Sequence, residues 1–193
     1  MALLCMALAD LGIEAKSFTG SQAGIITDTV HTKAKILEVK GDRVREALAD
    51  GKVCVVAGFQ GISTDKEITS LGRGGSDATA VALAAALNAA ACEIYTDVTG
   101  VFTADPRIVP TARKIERISY DEMLELSGLG ASVLQTRAVE FAKKYKVPLH
   151  VRNSQNTNEG TWIVAENKAM EHIVVSGAAL KKDLIRVALK NVP

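Results

Sequence analysis

The sequence predicts an α/β fold in which helices cover both faces of a mainly parallel β-sheet. Short apolar runs alternate along the chain with longer helical stretches, which is the order typical of such a sheet. Val53–Ala57 is a continuous apolar run rich in valine, as expected for a strand that is buried on both faces. The Ala-rich stretch Ser76–Ala91 predicts a long helix. With 193 residues, 48% of them hydrophobic, the chain is long enough for one large domain with an aliphatic core.

The remaining elements follow from apolar periodicity and from glycine stop signals. The predicted helices are Ala2–Leu11, Asp42–Ala49, Ser76–Ala91, Tyr120–Leu126 and Ser132–Lys144. The predicted strands are Glu14–Phe18, Ala34–Val39, Val53–Ala57, Cys92–Thr96, Leu149–Arg152 and Thr161–Val164. Asp42 and Ser76 are of the residue types that cap helix N-termini, and we expect each to cap its helix. Gly58–Gly61 is expected to be a loop and Ser63–Ser70 a polar connection.

Composition argues against several classes of function. A formal net charge of +1 and an aromatic content of 4% favour neither nucleic-acid binding nor attraction to an anionic membrane. No stretch is long enough to span a membrane, and the apolar start Met1–Leu11 lacks the basic flank and cleavage site of a signal peptide, so we expect it to form a buried or amphipathic helix. The cysteines are widely spaced and the histidines isolated, which argues against a metal centre and favours free thiols in the cytoplasm. These residues are Cys5, Cys54, Cys92, His31, His150 and His172.

The segment Leu71–Asp77 carries the first chemical signal. Its sequence is Leu-Gly-Arg-Gly-Gly-Ser-Asp, with three glycines in four positions directly before a predicted helix. Such a loop lets backbone N–H groups approach an anion while the helix dipole favours negative charge. Arg73 adds a planar cation suited to carboxylate or phosphate. The alternative is a glycine-rich turn in which Ser76 caps the helix and Asp77 complements its dipole.

The segment Thr96–Arg107 carries the second signal. It starts where the predicted strand Cys92–Thr96 ends, and ligands of open α/β sheets bind at that edge. Thr96 and Asp97 can hydrogen-bond a sugar or a base, or help to hold a metal ion. Phe102 offers an apolar face, Asp105 is stiffened by the following proline, and Arg107 can reach phosphate oxygens. The alternative is a structured loop stabilised by its own charges, although loops of this length are usually functional.

Together the two segments resemble the amino acid kinase family and, within it, the aspartate kinases. Other segments share this resemblance, which covers essentially the whole chain: Phe18–Asp28, Gly58–Gly61, Tyr120–Glu125 and Val147–Arg152. The resemblance implies a three-layer αβα sandwich whose N-terminal part is missing. It assigns residues 1–165 to the C-terminal part of the catalytic domain, 166–170 to a linker, and 171–193 to the start of an ACT-type regulatory domain.

The resemblance also implies a function, the transfer of the ATP γ-phosphoryl group to the side-chain carboxylate of L-aspartate. This reaction begins the biosynthesis of lysine, threonine and methionine. Arg73, Gly74, Gly75 and Ser76 would bind aspartate, and Asp77 would be the catalytic carboxylate that orients the substrate and a lysine. The residues implied to hold the nucleotide, whose phosphates Mg²⁺ would bridge, are Thr96, Asp97, Phe102, Asp105 and Arg107. Family members that carry such tails usually assemble as homo- or hetero-oligomers.

The sequence departs from the family pattern in three ways. The N-terminal Lys-Phe-Gly-Gly-Thr segment, whose lysine contacts the transferred phosphoryl group, is absent, as is a Gly-Glu pair that contacts aspartate. Ser132 stands where many members have a lysine, and Thr99 replaces a common aspartate. We therefore expect the 193-residue chain alone to be inactive and the full-length protein to be a kinase. Two alternatives remain, namely another kinase of this fold such as glutamate 5-kinase, and a non-catalytic binding module.

Overall fold

A computed structural model describes residues 1–129, 133–166 and 177–180, and it confirms the α/β class. Within those ranges the helices are α1 (Ala2–Asp10), α2 (Asp42–Ala49), α3 (Gly75–Ala86), α4 (Tyr120–Gly128) and α5 (Thr136–Tyr145). The strands are β1 (Ala15–Phe18), β2 (Ile25–Thr27), β3 (Ile36–Val39), β4 (Val53–Val56), β5 (Gln60–Ser63), β6 (Ile68–Ser70), β7 (Cys92–Thr96), β8 (Arg117–Ser119), β9 (Leu149–Asn153) and β10 (Thr161–Val164).

The strands form three hydrogen-bonded groups that are rich in parallel pairs. One group is β1–β4, the second has the order β3-β2-β5-β6, and the third has the order β7-β9-β10-β8. The pairs β1–β4, β2–β5, β7–β9 and β8–β10 are parallel, whereas β2–β3, β5–β6 and β9–β10 are antiparallel. The parallel pair β7–β9 places the C-terminal ends of these two strands side by side, at the edge where ligands are expected.

The main core lies between the β7-β9-β10-β8 sheet and the helices α3, α4 and α5. Leu149, Val151 and Ile163 point from the sheet into this core, and none of them is accessible to solvent. The alternate residues point to the opposite face, where the His150 ring stacks on Trp162 with centroids 3.9 Å apart. The inward-pointing residues of these strands pack against helices, so this sheet is a rigid support for the loops at its ends.

A smaller core joins α2 to β1, β2 and β4 around Phe18, Ile25 and Val44. The prediction that Val53–Ala57 is buried on both faces is wrong for the described residues, because Val53 is 42% exposed and the rest of β4 is half-buried. A valine-rich run marks a strand correctly, but its burial depends on the layers that pack against it.

Two helix starts differ from the prediction. The residue that caps α2 is Gly41 and not Asp42, and the residue that caps α3 is Gly74 and not Ser76. Both glycines have left-handed backbone angles, with φ values of 69° and 71°, which only glycine adopts without strain. Helix α3 also ends at Ala86 and not at Ala91, because Asn88 turns the chain with a φ of 51°.

The short strands were missed. Gly58–Gly61 and Ser63–Ser70 were expected to be a loop and a polar connection, but they contribute β5 and β6, which pair as an antiparallel hairpin. A buried hydrogen bond of 2.7 Å between the hydroxyls of Thr27 and Thr69 ties this hairpin region to β2. Such strands of three or four residues carry too few side chains for a clear alternation.

Helix α1 is neither buried nor amphipathic. It packs against β1, but none of its residues is buried, and Leu3 is 81% exposed. Its residues from Ala2 to Ala9 are all apolar and Asp10 at its end is the one polar residue, so the helix has no polar face along its length. Among the described residues, no helix combines the length and the apolar character needed to cross a membrane.

The predicted linker and regulatory segment lie mostly outside the described residues, as do Ser132 and Gly130. Residues 177–180 are described, and the backbone N–H of Ala178 donates a hydrogen bond of 2.8 Å to the carbonyl of Thr103. The chain that follows the predicted linker therefore contacts the predicted nucleotide loop.

Candidate functional site

The Gly-rich loop before α3 has the backbone shape that its sequence predicts. Gly72 and Gly74 both have φ values of 71°, and Arg73 between them is exposed. The N–H of Gly75 donates to the carbonyl of Gly72 over 2.9 Å, which closes a tight turn at the first residue of the helix. Since the first N–H groups of a helix have no partner within it, this turn can present N–H groups and the Arg73 guanidinium to an anion.

Neighbouring segments hold this loop from two sides. The N–H of Leu71 donates to the carbonyl of Phe59 over 3.0 Å, and the Leu71 carbonyl accepts a bond of 2.9 Å from Nη2 of Arg137. The Leu71 side chain is 1% exposed, so it anchors the start of the loop in the interior. The Gln135 side chain lies against Gly74, where an added Cβ atom would lie 2.5 Å from Cβ of Gln135.

Phe59 and Thr79 support Gly75 through a chain of hydrogen bonds. Phe59 has a left-handed φ of 69°, which is strained for a residue other than glycine. Its N–H donates to Oγ1 of Thr79 over 3.2 Å, and that hydroxyl donates to the carbonyl of Gly75 over 2.7 Å. An added Cβ atom at Gly75 would lie 2.8 Å from the Leu71 side chain, so the close approach requires glycine there.

Asp77 lies in the first turn of α3, as predicted, and is half-buried. Burial raises the pKa of its carboxyl group above the usual value, and this is the largest influence. Hydrogen bonds from the backbone N–H of Gln135 and from the Ser76 side chain act in the opposite direction on that pKa. The Asp77 charge also adds to the effect of burial on Cys92, whose thiol pKa is raised to about 11.

The second predicted group starts at the end of β7. Oγ1 of Thr96 donates a hydrogen bond of 3.0 Å to the Asp97 carboxylate, and Asp97 is exposed. The end of β9 fixes the backbone here, since Nδ2 of Asn153 donates to the Asp97 carbonyl over 3.1 Å and the N–H of Ser154 donates to the Thr96 carbonyl over 2.9 Å. A hydroxyl and a carboxylate thus stand at the sheet edge on a backbone that the neighbouring strand holds.

Phe102 lies on a short antiparallel ribbon, where it forms a β-bridge with Lys114. The buried Thr161 anchors this ribbon to β10. Its Oγ1 accepts a bond of 2.9 Å from the N–H of Val101 and donates one of 2.6 Å to the carbonyl of Ile115. One hydroxyl therefore satisfies groups on both strands of the ribbon.

Asp105 and Arg107 form a bidentate ion pair near the end of this segment. Nε of Arg107 lies 3.0 Å from Oδ1 of Asp105, and Nη2 lies 2.8 Å from Oδ2. The bond to Asp105 is the main cause that raises the pKa of Arg107, and the charge of Asp97 contributes to it. The Arg107 side chain is 88% exposed, so its cation faces solvent beside two carboxylates.

The described contacts therefore gather the predicted residues into two sets. Residues 73–77 are tied to α5 and to the Phe59 loop, and residues 96–107 are tied to β9 and β10. Two cavities in the described part of the chain, of about 190 and 260 Å³, are lined by other residues. No three His, Cys, Asp or Glu side chains among the described residues cluster as a protein-only metal centre would require.

Sequence reasoning missed the residues that support both sets. Arg137 and Leu71 are separated by 66 residues, and Thr161 and Val101 by 60, so no local spacing signals their contacts. The one available signal is Gly160-Thr161, because a glycine before a strand marks a close backbone approach. An added Cβ atom at Gly160 would indeed collide with the Val151 carbonyl.

Comparisons with known proteins bear on the family and the fold of this chain. The sequence profile described as "Amino acid kinase family" matches residues 1–153. The chain is 55% identical over 192 residues to the aspartokinase of Geobacillus stearothermophilus, a match that covers 100% of this chain and 47% of that protein. It spans about half the length of the curated relatives it matches.

Two solved structures share the fold at substantial identity. The aspartate kinase from Synechocystis is 52% identical with a TM-score of 0.73, and the match covers 86% of this chain and 27% of that one. The E. coli aspartokinase III in complex with aspartate and ADP is 29% identical with a TM-score of 0.79, and the match covers 86% of this chain and 38% of that one.

Proposed function

This chain belongs to the amino acid kinase family, and from that premise we propose that its function is the ATP-dependent phosphorylation of L-aspartate. The proposed reaction is the attack of a side-chain carboxylate oxygen on the γ-phosphorus of ATP. The bond between that phosphorus and the β,γ-bridging oxygen breaks, ADP leaves, and the acyl phosphate 4-phospho-L-aspartate forms. The observation that supports this best is the Leu71–Asp77 turn, which has an anion-binding shape in a chain 55% identical to an aspartokinase.

In this proposal the first set of residues binds aspartate. The exposed guanidinium of Arg73 pairs with a carboxylate of the substrate. The turn formed by Gly74, Gly75 and Ser76 supplies N–H donors at the helix N-terminus, apart from the Gly75 N–H, which donates to the Gly72 carbonyl. Asp77 is the catalytic carboxylate that orients the substrate and a lysine. Its half-buried position and its hydrogen bonds from Gln135 and Ser76 fix the direction in which it points.

The second set of residues binds the nucleotide. Thr96 and Asp97 contact the sugar or the base, Phe102 packs on the nucleotide, and Arg107 reaches the phosphates while Asp105 holds its side chain. Asp97 and Asp105 bring negative charge close to the triphosphate. Mg²⁺ fits this setting, because it binds through phosphate oxygens, water and one or two carboxylates and does not need a protein-only cage. The cation would neutralise charge on the phosphoryl group during transfer.

The wider biological setting is part of the same proposal. It includes a role at the start of lysine, threonine and methionine biosynthesis, a cytoplasmic location, and assembly into oligomers. Allosteric regulation would act through an ACT-type segment that begins near residue 171. The contact between Ala178 and Thr103 supports a link between that segment and nucleotide binding, since Thr103 follows Phe102 directly.

The test is an assay of ADP release by the product of the complete reading frame that encodes this chain. L-aspartate, L-glutamate and buffer are compared, and hydroxylamine is added to trap an acyl phosphate as the hydroxamate. Aspartate-dependent ADP release with equal hydroxamate formation is the expected result. Preference for glutamate would overturn the substrate assignment, and nucleotide binding without turnover would indicate a binding module. The same assay on the 193-residue chain tests the expectation that this chain alone is inactive.

A further inference from the structure

The start of helix α5 holds the Gly-rich loop at three points. Arg137 donates from Nη2 to the Leu71 carbonyl over 2.9 Å. The backbone N–H of Gln135 donates to the Asp77 carboxylate. The Gln135 side chain also lies against the Cα atom of Gly74. The start of α5 therefore contacts Leu71 before the loop, Gly74 within the loop and Asp77 after it.

The Leu71 carbonyl is the contact with the greatest effect on loop shape. It belongs to the rigid peptide plane that also carries the N–H of Gly72, so fixing the carbonyl fixes the direction of that N–H. The chain on both sides of Arg73 consists of glycines with φ values of 71°, and glycine rotates freely between left- and right-handed angles. Without an external bond, the plane between Leu71 and Gly72 could rotate and turn the loop away from its anion-binding shape.

We propose that Arg137 is a positioning residue, which holds the loop Gly72–Gly75 in the conformation that binds the aspartate substrate. The proposal rests on the proposed function for the identity of that substrate, but the holding of the loop stands on the geometry alone. A guanidinium suits the task because its hydrogen bond is charge-assisted and its charge is permanent. Its half-buried position beside the loop also adds positive potential where an anion is expected.

A purely structural role for Arg137 makes a different prediction. If the bond only joined α5 to the body of the protein, its loss would weaken the whole fold and would alter aspartate and ATP kinetics alike. A positioning role instead limits the change to the loop and to aspartate, because the side-chain hydrogen bonds that hold the backbone at Asp97 and Val101 come from β9 and β10. Amide exchange of the loop and a comparison of the two KM values therefore separate these cases.

The experiment compares Arg137→Ala, Arg137→Lys and the control Arg43→Ala, which removes an exposed arginine from α2. Hydrogen exchange of the 193-residue chain is measured at the loop amide of Gly75, whose bond to the Gly72 carbonyl closes the loop, with Val81–Ala85 inside α3 as the internal reference. For Arg137→Ala we expect about tenfold faster exchange in the loop, the effect of losing one charge-assisted hydrogen bond. For Arg137→Lys we expect about threefold faster exchange in the loop, because an ammonium group restores the bond but not the planar guanidinium geometry.

Kinetics of the complete reading-frame product supply the second measurement. Arg137→Ala should raise the KM for aspartate about tenfold while the KM for ATP changes less than about twofold, and Arg43→Ala should change neither. Unchanged loop exchange in Arg137→Ala, or equal changes in both KM values, would overturn the inference. If Arg137→Ala does not fold, Arg137→Lys tests the inference in its place. Loop exchange in Arg137→Lys equal to that in Arg43→Ala would then overturn the positioning role of Arg137. Absence of turnover in the unsubstituted protein would instead overturn the proposed function, and loop exchange would still decide the role of Arg137.

Discussion

Gly74 and Gln135 lie so close together that an added Cβ atom on Gly74 would lie 2.5 Å from Cβ of Gln135. Gly74 also has a φ of 71°, so two separate constraints require glycine at this position. The loop before α3 and the start of α5 therefore fit together only with a bare backbone at residue 74. This contact joins an anion-binding turn to a helix that is more than 60 positions away in the sequence.

The first prediction is that Gly74→Ala destabilises the fold and weakens aspartate binding. Forcing alanine into the left-handed region costs about 1 kcal/mol, and crowding against Gln135 adds about 1–3 kcal/mol. Urea unfolding measures the free energy, and the assay of ADP release measures the KM for aspartate.

Gly51→Ala is the matched control for this substitution. Gly51 has a φ of 77°, but no atom lies within 4 Å of an added Cβ there, so only the conformational cost of about 1 kcal/mol applies. Equal losses of stability in the two variants would show that Gln135 moves aside and that the contact with Gly74 does not matter.

The second prediction concerns Asp77 and pH. Burial raises its carboxyl pKa, so the folded state favours the protonated acid. The stabilising contribution of this acid is present below the usual aspartate pKa of about 4 and is lost as the pH rises through the raised value. Asp77→Asn should therefore raise the melting temperature at pH 7 and abolish turnover, and the gain in melting temperature should shrink toward pH 4.

Thermal unfolding of Asp77→Asn and of the unsubstituted protein between pH 4 and pH 8 checks this prediction. Asp65→Asn serves as the control, because Asp65 is exposed. A melting temperature for Asp77→Asn that is lower at pH 7 than that of the unsubstituted protein would contradict it. Such a result would mean that the hydrogen bonds from Gln135 and Ser76 outweigh the cost of burying the charge.

Some parts of the site can be predicted from the sequence, and others cannot. The Gly-rich turn at Leu71–Asp77 and the loop after Thr96 were predictable, because glycine spacing and the end of a strand are local signals. The sequence predicts Ser76 as the cap of α3, since serine is a common capping residue, whereas the left-handed angle of Gly74 places the cap two positions earlier. The supporting bonds from Arg137 and Thr161 were hidden, because they exist only once distant segments have packed.

The third prediction is that Thr161→Val destabilises the ribbon that carries Phe102. Valine has nearly the shape of threonine, but it leaves the Val101 N–H and the Ile115 carbonyl without the hydroxyl that now binds both. The site is fully buried, so the expected loss is about 1–3 kcal/mol of unfolding free energy. The KM for ATP should rise more than the KM for aspartate.

Thr161→Ser separates the hydroxyl from the methyl group. Serine retains both hydrogen bonds and loses one methyl, so it should retain the KM for ATP at a cost of about 1 kcal/mol in stability. Urea unfolding and the two KM values are again the measurements. If Thr161→Ser and Thr161→Val raise the KM for ATP equally, the hydroxyl does not hold the nucleotide loop in place.

The fourth prediction is that Arg107→Ala weakens ATP binding without destabilising the protein. The guanidinium is 88% exposed, and exposed ion pairs contribute about 0–1 kcal/mol, so the unfolding free energy should change by less than about 1 kcal/mol. The loop should keep its shape, because the backbone N–H of Arg107 also donates to the Asp105 carboxylate over 2.9 Å, and alanine retains that bond. Loss of a phosphate contact should raise the KM for ATP about tenfold, the effect of one charge-assisted hydrogen bond, and leave the KM for aspartate unchanged.

Two further variants serve as controls for Arg107→Ala. The KM for ATP of Arg107→Lys should lie between those of Arg107→Ala and the unsubstituted protein, because lysine retains the charge but not the planar guanidinium. Arg43→Ala should match the unsubstituted protein. An unchanged KM for ATP in Arg107→Ala would mean that this arginine serves only its pair with Asp105.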